Sequence, residues 1–332
     1  MYQFNTVTSS DATVGLAYGA AYRTIGEVNL FLKNLAGASS VVTPEKNSQY
    51  TGEAAFIRSL SYFYLVNLWA QPYGFSQGAT HLGVPLALTS SNLPFDPANL
   101  IPRSTVAEVY AQIEKDLLDA ETKLPVAYGD ATFSDVARAT KGAAQALLAR
   151  LYLYKGDYTK ANTYADKVIA SGKYALNADP VTTFRTFTTK ESIFSVAHNG
   201  GDNPNTNHAL GQHYAPDKRG DITVSTAYVA LMDQAEDLRF KNLIVKNAAG
   251  SFFSSKYQGT SEWVPVVRYA EILLIKAEAL ANLATVVDPA ALVLLNQVRT
   301  RSKAAVVAPV TKAALISAIL NERRIELAFE GH

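Results

Sequence analysis

RATKGAAQALLARLYLYKGDYTKANTYADKVIASGKY, residues Arg138 to Tyr174, reads as two amphipathic helices joined by a tight turn. Leu147, Leu148, Leu151, Tyr152 and Tyr154 recur at helical spacing on the first helix. Ala161, Tyr164, Ala165, Val168 and Ile169 do the same on the second. Thr140 can cap the start, because its side-chain oxygen can accept a bond from an otherwise orphaned backbone N–H. Gly156-Asp157 breaks the run, and Gly172 can end the second helix in the left-handed conformation. Alanines at 143, 144, 146, 149, 161 and 165 let two helices approach closely. Such a hairpin cannot bury both faces alone, so it requires neighbours.

The turn itself, GDYTKA from Gly156 to Ala161, is similar to the one tetratricopeptide hairpins carry between their helices. Outward from it, more helices are readable. Leu16–Leu35 places Tyr18, Tyr22, Ile25, Val28, Leu32 and Leu35 on one face, with Gly15 and Gly37 outside its ends. Gly52–Trp69 is apolar nearly all round, which marks a helix central to the core. Thr105 and Glu108 form a capping box that opens a helix running to Leu124. Towards the end of the chain, helices are expected over Val266–Leu283, Pro289–Ser302 and Thr311–Phe329.

Two stretches break the pattern. Gln71–Pro102 is rich in Gly, Pro, Asn and Ser and reads as a long loop, a length usually tied to function. After Tyr174 the helical signal lapses again. Glu191–His198 alternates like a short strand, Gly200–Gly220 has loop composition, and Asp221–Phe240 has room for one helix. The expected fold is therefore mainly all-α, with helical hairpins, long irregular insertions and little β structure. The plan is one domain over 1–332: a helical scaffold at about 16–174 and 264–332, and a loop-rich insertion at about 175–263.

Bulk properties exclude several functions. A chain of 332 residues, 48% hydrophobic, can bury a large core. A formal net charge of +1 with 18% charged residues makes no electrostatic case for nucleic acid. The absence of cysteine excludes thiol catalysis, disulfides and Cys-ligated metals. The most apolar run, Val264–Val287, contains Arg268, Glu271, Lys276 and Glu278, which is too costly for a lipid-exposed span. Met1–Ala20 carries no basic start followed by an apolar core, so no secretory signal is read there.

No catalytic constellation emerges. Glu322, Glu326 and Glu330 recur every four residues with Arg323 and Arg324 between them. Glycosidase chemistry needs one carboxyl of raised pKa facing an open cleft, whereas neighbouring arginines favour the ionised form. A structural ion-pair network is the better reading. Arg268 with Glu271, Lys276 with Glu278, and Arg299 and Arg301 are read as pairs that fix helix register. Five histidines at 81, 198, 208, 213 and 332 lack zinc spacing. Asn203, Asn205 and Asn207 begin like a calcium loop, but His208 stands where Gly is needed and Tyr214 where Glu is needed. No metal or cofactor is expected, and Arg219-Gly220-Asp221 is read as a chance tripeptide.

Aromatics outside the helical periods remain: Tyr2, Phe4, Tyr73, Phe75, Tyr214, Phe252, Phe253, Tyr257 and Trp263. For any one of them, plugging the edge of the core is the better reading. Several exposed together would form a stacking platform for a sugar or another polar ligand. Tyr73, Phe75, Tyr214, Tyr257 and Trp263 are the candidates chosen for such contacts.

The ordered series of segments resembles the SusD/RagB family of Bacteroidetes outer-membrane nutrient-binding lipoproteins. The matching stretches are AYRTIGEVNLFL (21–32), GEAAFIRSLSYFYLVNLWAQPYG (52–74), IPRSTVAEVYAQIEKDLLDAETKLP (101–125) and RATKGAAQALLARLYLYKGDYTKANTYADKVI (138–169). They continue as VPVVRYAEILLIKAEALANL (264–283), LNQVRTRS (295–302) and ILNERRIELAFEGH (319–332). Each segment is moderately specific, and their order and spacing together are very specific. The resemblance implies a tetratricopeptide-like α fold and a non-enzymatic surface protein. It would bind a glycan or similar nutrient and deliver it to a SusC-type TonB-dependent transporter. Family members begin with a lipoprotein signal and an acylated cysteine and continue past the E-G-H motif. This sequence is therefore read as a fragment whose membrane attachment, through a lipid anchor, lies outside it. The alternative is a helical-repeat scaffold binding peptides or proteins without a nutrient ligand.

Overall fold

A computed structural model describes residues 8, 10–38, 40–91, 97–129 and 133–332; Tyr2 and Phe4 lie outside the described residues. The chain packs as two compact units: residues 1–126 with 154–156, and residues 127–153 with 157–332. Among the described residues, eight helices have 13 residues or more. They are α1 (Ala12–Ala36), α2 (Pro44–Trp69), α3 (Val106–Lys123), α4 (Lys141–Lys155), α5 (Tyr158–Ala170), α6 (Tyr269–Leu283), α7 (Pro289–Arg301) and α8 (Lys312–Leu327). Six short strands pair two by two, always antiparallel. They are β1 (Leu82–Pro85) with β2 (Arg103–Thr105), β3 (Ser192–Val196) with β6 (Val264–Arg268), and β4 (Ile244–Lys246) with β5 (Phe252–Ser254). The protein is mainly α-helical with little strand, as its periodicity leads one to expect.

In the first unit α2 packs against α1 and α3. Helix α2 starts at Pro44, eight residues before the apolar run, because Thr43 caps it and proline is tolerated where no helical N–H bond is needed. Helix α1 likewise begins at Ala12, capped by Asp11, so Gly15 lies inside it and not before it. At the start of α3 the capping box is complete: Thr105 Oγ1 accepts from the Glu108 N–H at 3.2 Å, and Glu108 Oε2 accepts from the Thr105 N–H at 2.7 Å. The Gln71–Pro102 stretch is tied down at several points. Tyr22 Oη donates to the Pro85 carbonyl, and Tyr62 Oη and Asn29 Nδ2 both donate to that of Ala87. Asn29 is itself held by Arg58, whose guanidinium grips Asp116 with two bonds of 2.8 and 2.7 Å.

In the second unit α6 is buried nearly all round and packs on α5, α7 and α8. Alanines at 270, 277, 279 and 281 are all fully buried, which lets three helices approach one. The expected helix over Val266–Leu283 in fact begins at Tyr269. Its first residues form β6, paired with the expected strand around Glu191–His198. Val264–Val267 lacks a helical cap and contains Pro265, so the strand ladder takes these residues instead. The hairpin turn holds as read: Gly156 has φ +73° and Asp157 caps α5 through the Lys160 N–H. Thr140 Oγ1 accepts from the Ala143 N–H at the start of α4. Between Asp221 and Phe240 the single expected helix is replaced by two short ones, Thr226–Val229 and one starting at Leu238.

Candidate functional site

The carboxylates of the last helix meet arginines in the core. Arg268 donates five hydrogen bonds: Nε and Nη2 to Glu330, Nη1 to Glu191 and Glu326, and Nη2 also to the Glu326 carbonyl. Arg239 bridges Asp237, Glu322 and Glu326; Arg301 reaches Glu191 and Glu326; Arg299 holds Glu322; and Lys256 holds Glu330. The cluster thus joins five acids (Glu191, Asp237, Glu322, Glu326, Glu330) to five bases (Arg239, Lys256, Arg268, Arg299, Arg301), with no net charge. Nearby, Arg150 grips Glu271 with two bonds of 2.6 Å and also donates to the Val266 carbonyl.

Burial would raise the carboxyl pKa values here, but the cations outweigh it. Arg301, Arg268 and Arg239 hold Glu326 well below the usual carboxylate range, and Arg268 and Lys256 lower Glu330. Arg150 brings Glu271 down to about 2 against the same desolvation. None of the three is poised to donate a proton. The i, i+3 and i, i+2 pairings expected within α6 are corrected. Arg268 points to Glu191, Glu326 and Glu330, Glu271 to Arg150, Lys276 to Asp166 and Glu278 to Arg323. These charges take the partners that packing brings, wherever these lie in the chain.

A stability profile follows. Carboxyls whose folded pKa is depressed contribute stability that is complete above their unfolded value and is lost as pH falls through the folded one. For Glu271 that window runs from 4.5 down to about 2. The melting temperature should therefore fall steadily across that interval in a calorimetric pH series. A flat profile there would contradict the network's ionised state.

The five candidate aromatics separate. Tyr73 and Phe75 belong to the first unit: Tyr73 packs on Tyr110, while Phe75 is 64% exposed with its ring edge-on to His81. Tyr214, Tyr257 and Trp263 belong to the second. Tyr214 is half-buried between Tyr257 and Phe329. Tyr257 is only 1% exposed. Trp263 is 8% exposed; it stacks on Phe187 at 5.7 Å, takes Phe133 edge-on, and donates its indole N–H to the His198 carbonyl. Both Tyr257 and Trp263 are thus buried in the second unit. Of the two remaining loop aromatics, Phe253 is buried and Phe252 half-buried. Arg219 and Asp221, both exposed, bond to one another, and Asp221 also meets His213.

The second unit carries a cleft of about 240 Å³, and the candidate Tyr257 is one of its lining residues. Pro204, Ala209, Leu210 and Val264 give it apolar surface, and His198, His208, Thr260 and Glu262 give it polar groups. One wall is built by close backbone approach. A Cβ on Gly211 would stand 2.3 Å from the Gly259 carbonyl oxygen and 2.5 Å from its nitrogen. Glu262 shapes the same loop, its Oε2 accepting from the Gln258 and Gly259 N–H groups. Gly211→Ala should cost about 1–3 kcal/mol by overpacking, with backbone as the obstacle. Urea denaturation checks this; an unchanged midpoint would show that the loop yields freely. Sequence reasoning missed His198, at the end of the alternating Glu191–His198 stretch, and His208, Thr260 and Glu262, which sit in aperiodic segments. Loop polarity was the one available signal.

The irregular segments of this helical scaffold thus carry a small cleft, and among the described residues its fully buried carboxylates are tied to cations. Residues 1–153 match a SusD-like family described as "Starch-binding associating with outer membrane", and residues 195–332 match the SusD family. A SusD superfamily protein from Bacteroides fragilis is 32% identical, with a TM-score of 0.82 over 98% of this chain and 75% of that one. A SusD-like carbohydrate-binding protein from Bacteroides vulgatus is 25% identical, with a TM-score of 0.80 over 96% of this chain and 68% of that one. SusD-like protein P38 of Formosa agariphila is 25% identical over 99% of this chain and 72% of its own length. The chain belongs to the SusD/RagB family. Among the described residues, no helix is long and apolar enough to cross a membrane.

Proposed function

We propose that this protein binds a glycan at the bacterial cell surface and passes it to a SusC-type TonB-dependent transporter of the outer membrane. Membership of a family whose matching description is starch binding in association with the outer membrane carries the reading. The cleft of the second unit is the ligand site, and Phe75 offers a second, exposed aromatic contact in the first. Glu271, Glu326 and Glu330, each buried and held ionised, do not supply the protonated carboxylic acid that glycoside cleavage needs, and Glu278, whose pKa burial raises, is paired with Arg323. Attachment to the membrane is through a lipid anchor.

The test is a polysaccharide panel run by affinity electrophoresis, with reducing-sugar release measured on the same samples. Retardation by at least one polysaccharide without product release is expected. Release of sugars would overturn the non-catalytic reading, and no retardation by any polymer or oligosaccharide would overturn glycan binding. Co-purification of a TonB-dependent transporter with the tagged protein from native membranes tests the partner.

A further inference from the structure

The geometry points to a ligand that enters the second unit's cleft end-on: one neutral sugar unit, either free or at the end of a chain. This rests on the glycan-binding reading above and narrows it. The first observation is size. A volume of about 240 Å³ falls below the roughly 300–1,000 Å³ of sites that enclose drug-sized ligands, so the cleft has room for a unit of pyranose size and little more.

The second observation is polar groups left without partners. Among the described residues, the imidazoles of His198 and His208 and the Thr260 hydroxyl make no hydrogen bond to protein. Glu262 uses Oε2 on two backbone N–H groups and leaves Oε1 unbonded. Two imidazoles and a hydroxyl can each donate or accept, and a carboxylate only accepts. That inventory suits vicinal sugar hydroxyls, which do both. The apolar side, from Pro204, Ala209, Leu210 and Val264, suits the C–H face of a pyranose.

The third observation concerns charge and aromatics. The one carboxylate of the lining is that of Glu262, and among the described lining residues there is no Lys or Arg. A uronate or sulfated sugar would meet the Glu262 carboxylate with no cation in the lining itself, Arg185 acting on Glu262 from outside it, which disfavours such a ligand. Tyr257 lines the cleft but is only 1% exposed, and Trp263 is buried outside the lining, so neither offers an extended stacking surface. Without such a track, nothing in the cleft rewards the second, third or fourth sugar of a polymer.

Isothermal titration of the whole protein with neutral mono- to hexasaccharides of glucose, galactose, mannose and xylose, alongside galacturonate oligomers, tests this. For the linkage that binds, affinity should change less than about threefold between the disaccharide and the hexasaccharide, and galacturonate oligomers should bind at least tenfold more weakly. Glu262→Gln keeps an acceptor for the two N–H groups, and His208→Ala alters an exposed side chain. Each should weaken binding at least tenfold without lowering the melting temperature. Affinity rising tenfold or more with chain length, a preference for galacturonate, or unaltered binding by both variants overturns the inference while leaving glycan binding intact. If neither the oligosaccharides nor the polysaccharide panel binds at all, the glycan reading itself fails.

Discussion

Arg268→Met should destabilise the protein by about 3–5 kcal/mol, the usual effect of removing one partner from a buried ion pair. That is a large fraction of the roughly 5–15 kcal/mol that holds a domain folded. Arg268 gives five bonds to Glu191, Glu326 and Glu330, and its side chain is 3% exposed. Methionine fills similar space, so the loss is electrostatic and not a cavity. What remains is five buried acids facing four bases, an uncompensated negative charge in a region that water does not reach. Adding Glu330→Gln to the variant removes that surplus and should recover part of the loss. The wild-type network should also resist salt, because screening acts weakly on buried pairs. Chemical denaturation of the single and double variants reads all three. A single variant as stable as wild type would mean that these charges are solvated.

Trp263→Ala should cost about 3–5 kcal/mol, the range for deleting a large buried aromatic. Its ring is pressed on Phe187 and edged by Phe133, and its N–H satisfies the His198 carbonyl. Truncation opens a cavity and leaves that carbonyl without its donor. A fall of many degrees in melting temperature is expected by calorimetry. A surface stacking residue would behave oppositely, with melting unchanged and binding lost. Because His198 also lines the cleft, Trp263→Phe should weaken ligand binding through the freed carbonyl while costing less stability.

Those two side chains show where the sequence was legible. Helices α1 to α8 were readable because an apolar face repeats at a fixed interval and the caps are local. Thr105 with Glu108, and Gly156 with Asp157, sit within a few residues of what they control. The charge network was readable in kind but not in pairing. Arg268 and Glu326 stand 58 residues apart, and Arg150 and Glu271 stand 121 apart, so only packing reveals them as partners. The burial of Trp263 was illegible for a related reason. An irregular backbone says nothing about what packs over it, and Phe187 and Phe133 come from other segments. The cleft was the least legible part, because His198 closes a short alternating stretch, His208, Thr260 and Glu262 follow no periodic pattern, and the four meet only when their segments pack.

The ionic cluster also bears on how the chain is made. Of its five acids, Glu191 and Asp237 are synthesised before the last helix, as are all five bases. Until residues 322–330 emerge, the segments waiting to form this core carry five cations against two anions. Desolvating that surplus is prohibitive, so the second unit cannot close early around a partial chain. At about 5–20 residues per second, the remaining acids arrive within seconds of α7. A chain lacking Glu322, Glu326 and Glu330 should therefore leave this core open, with five cations facing two anions.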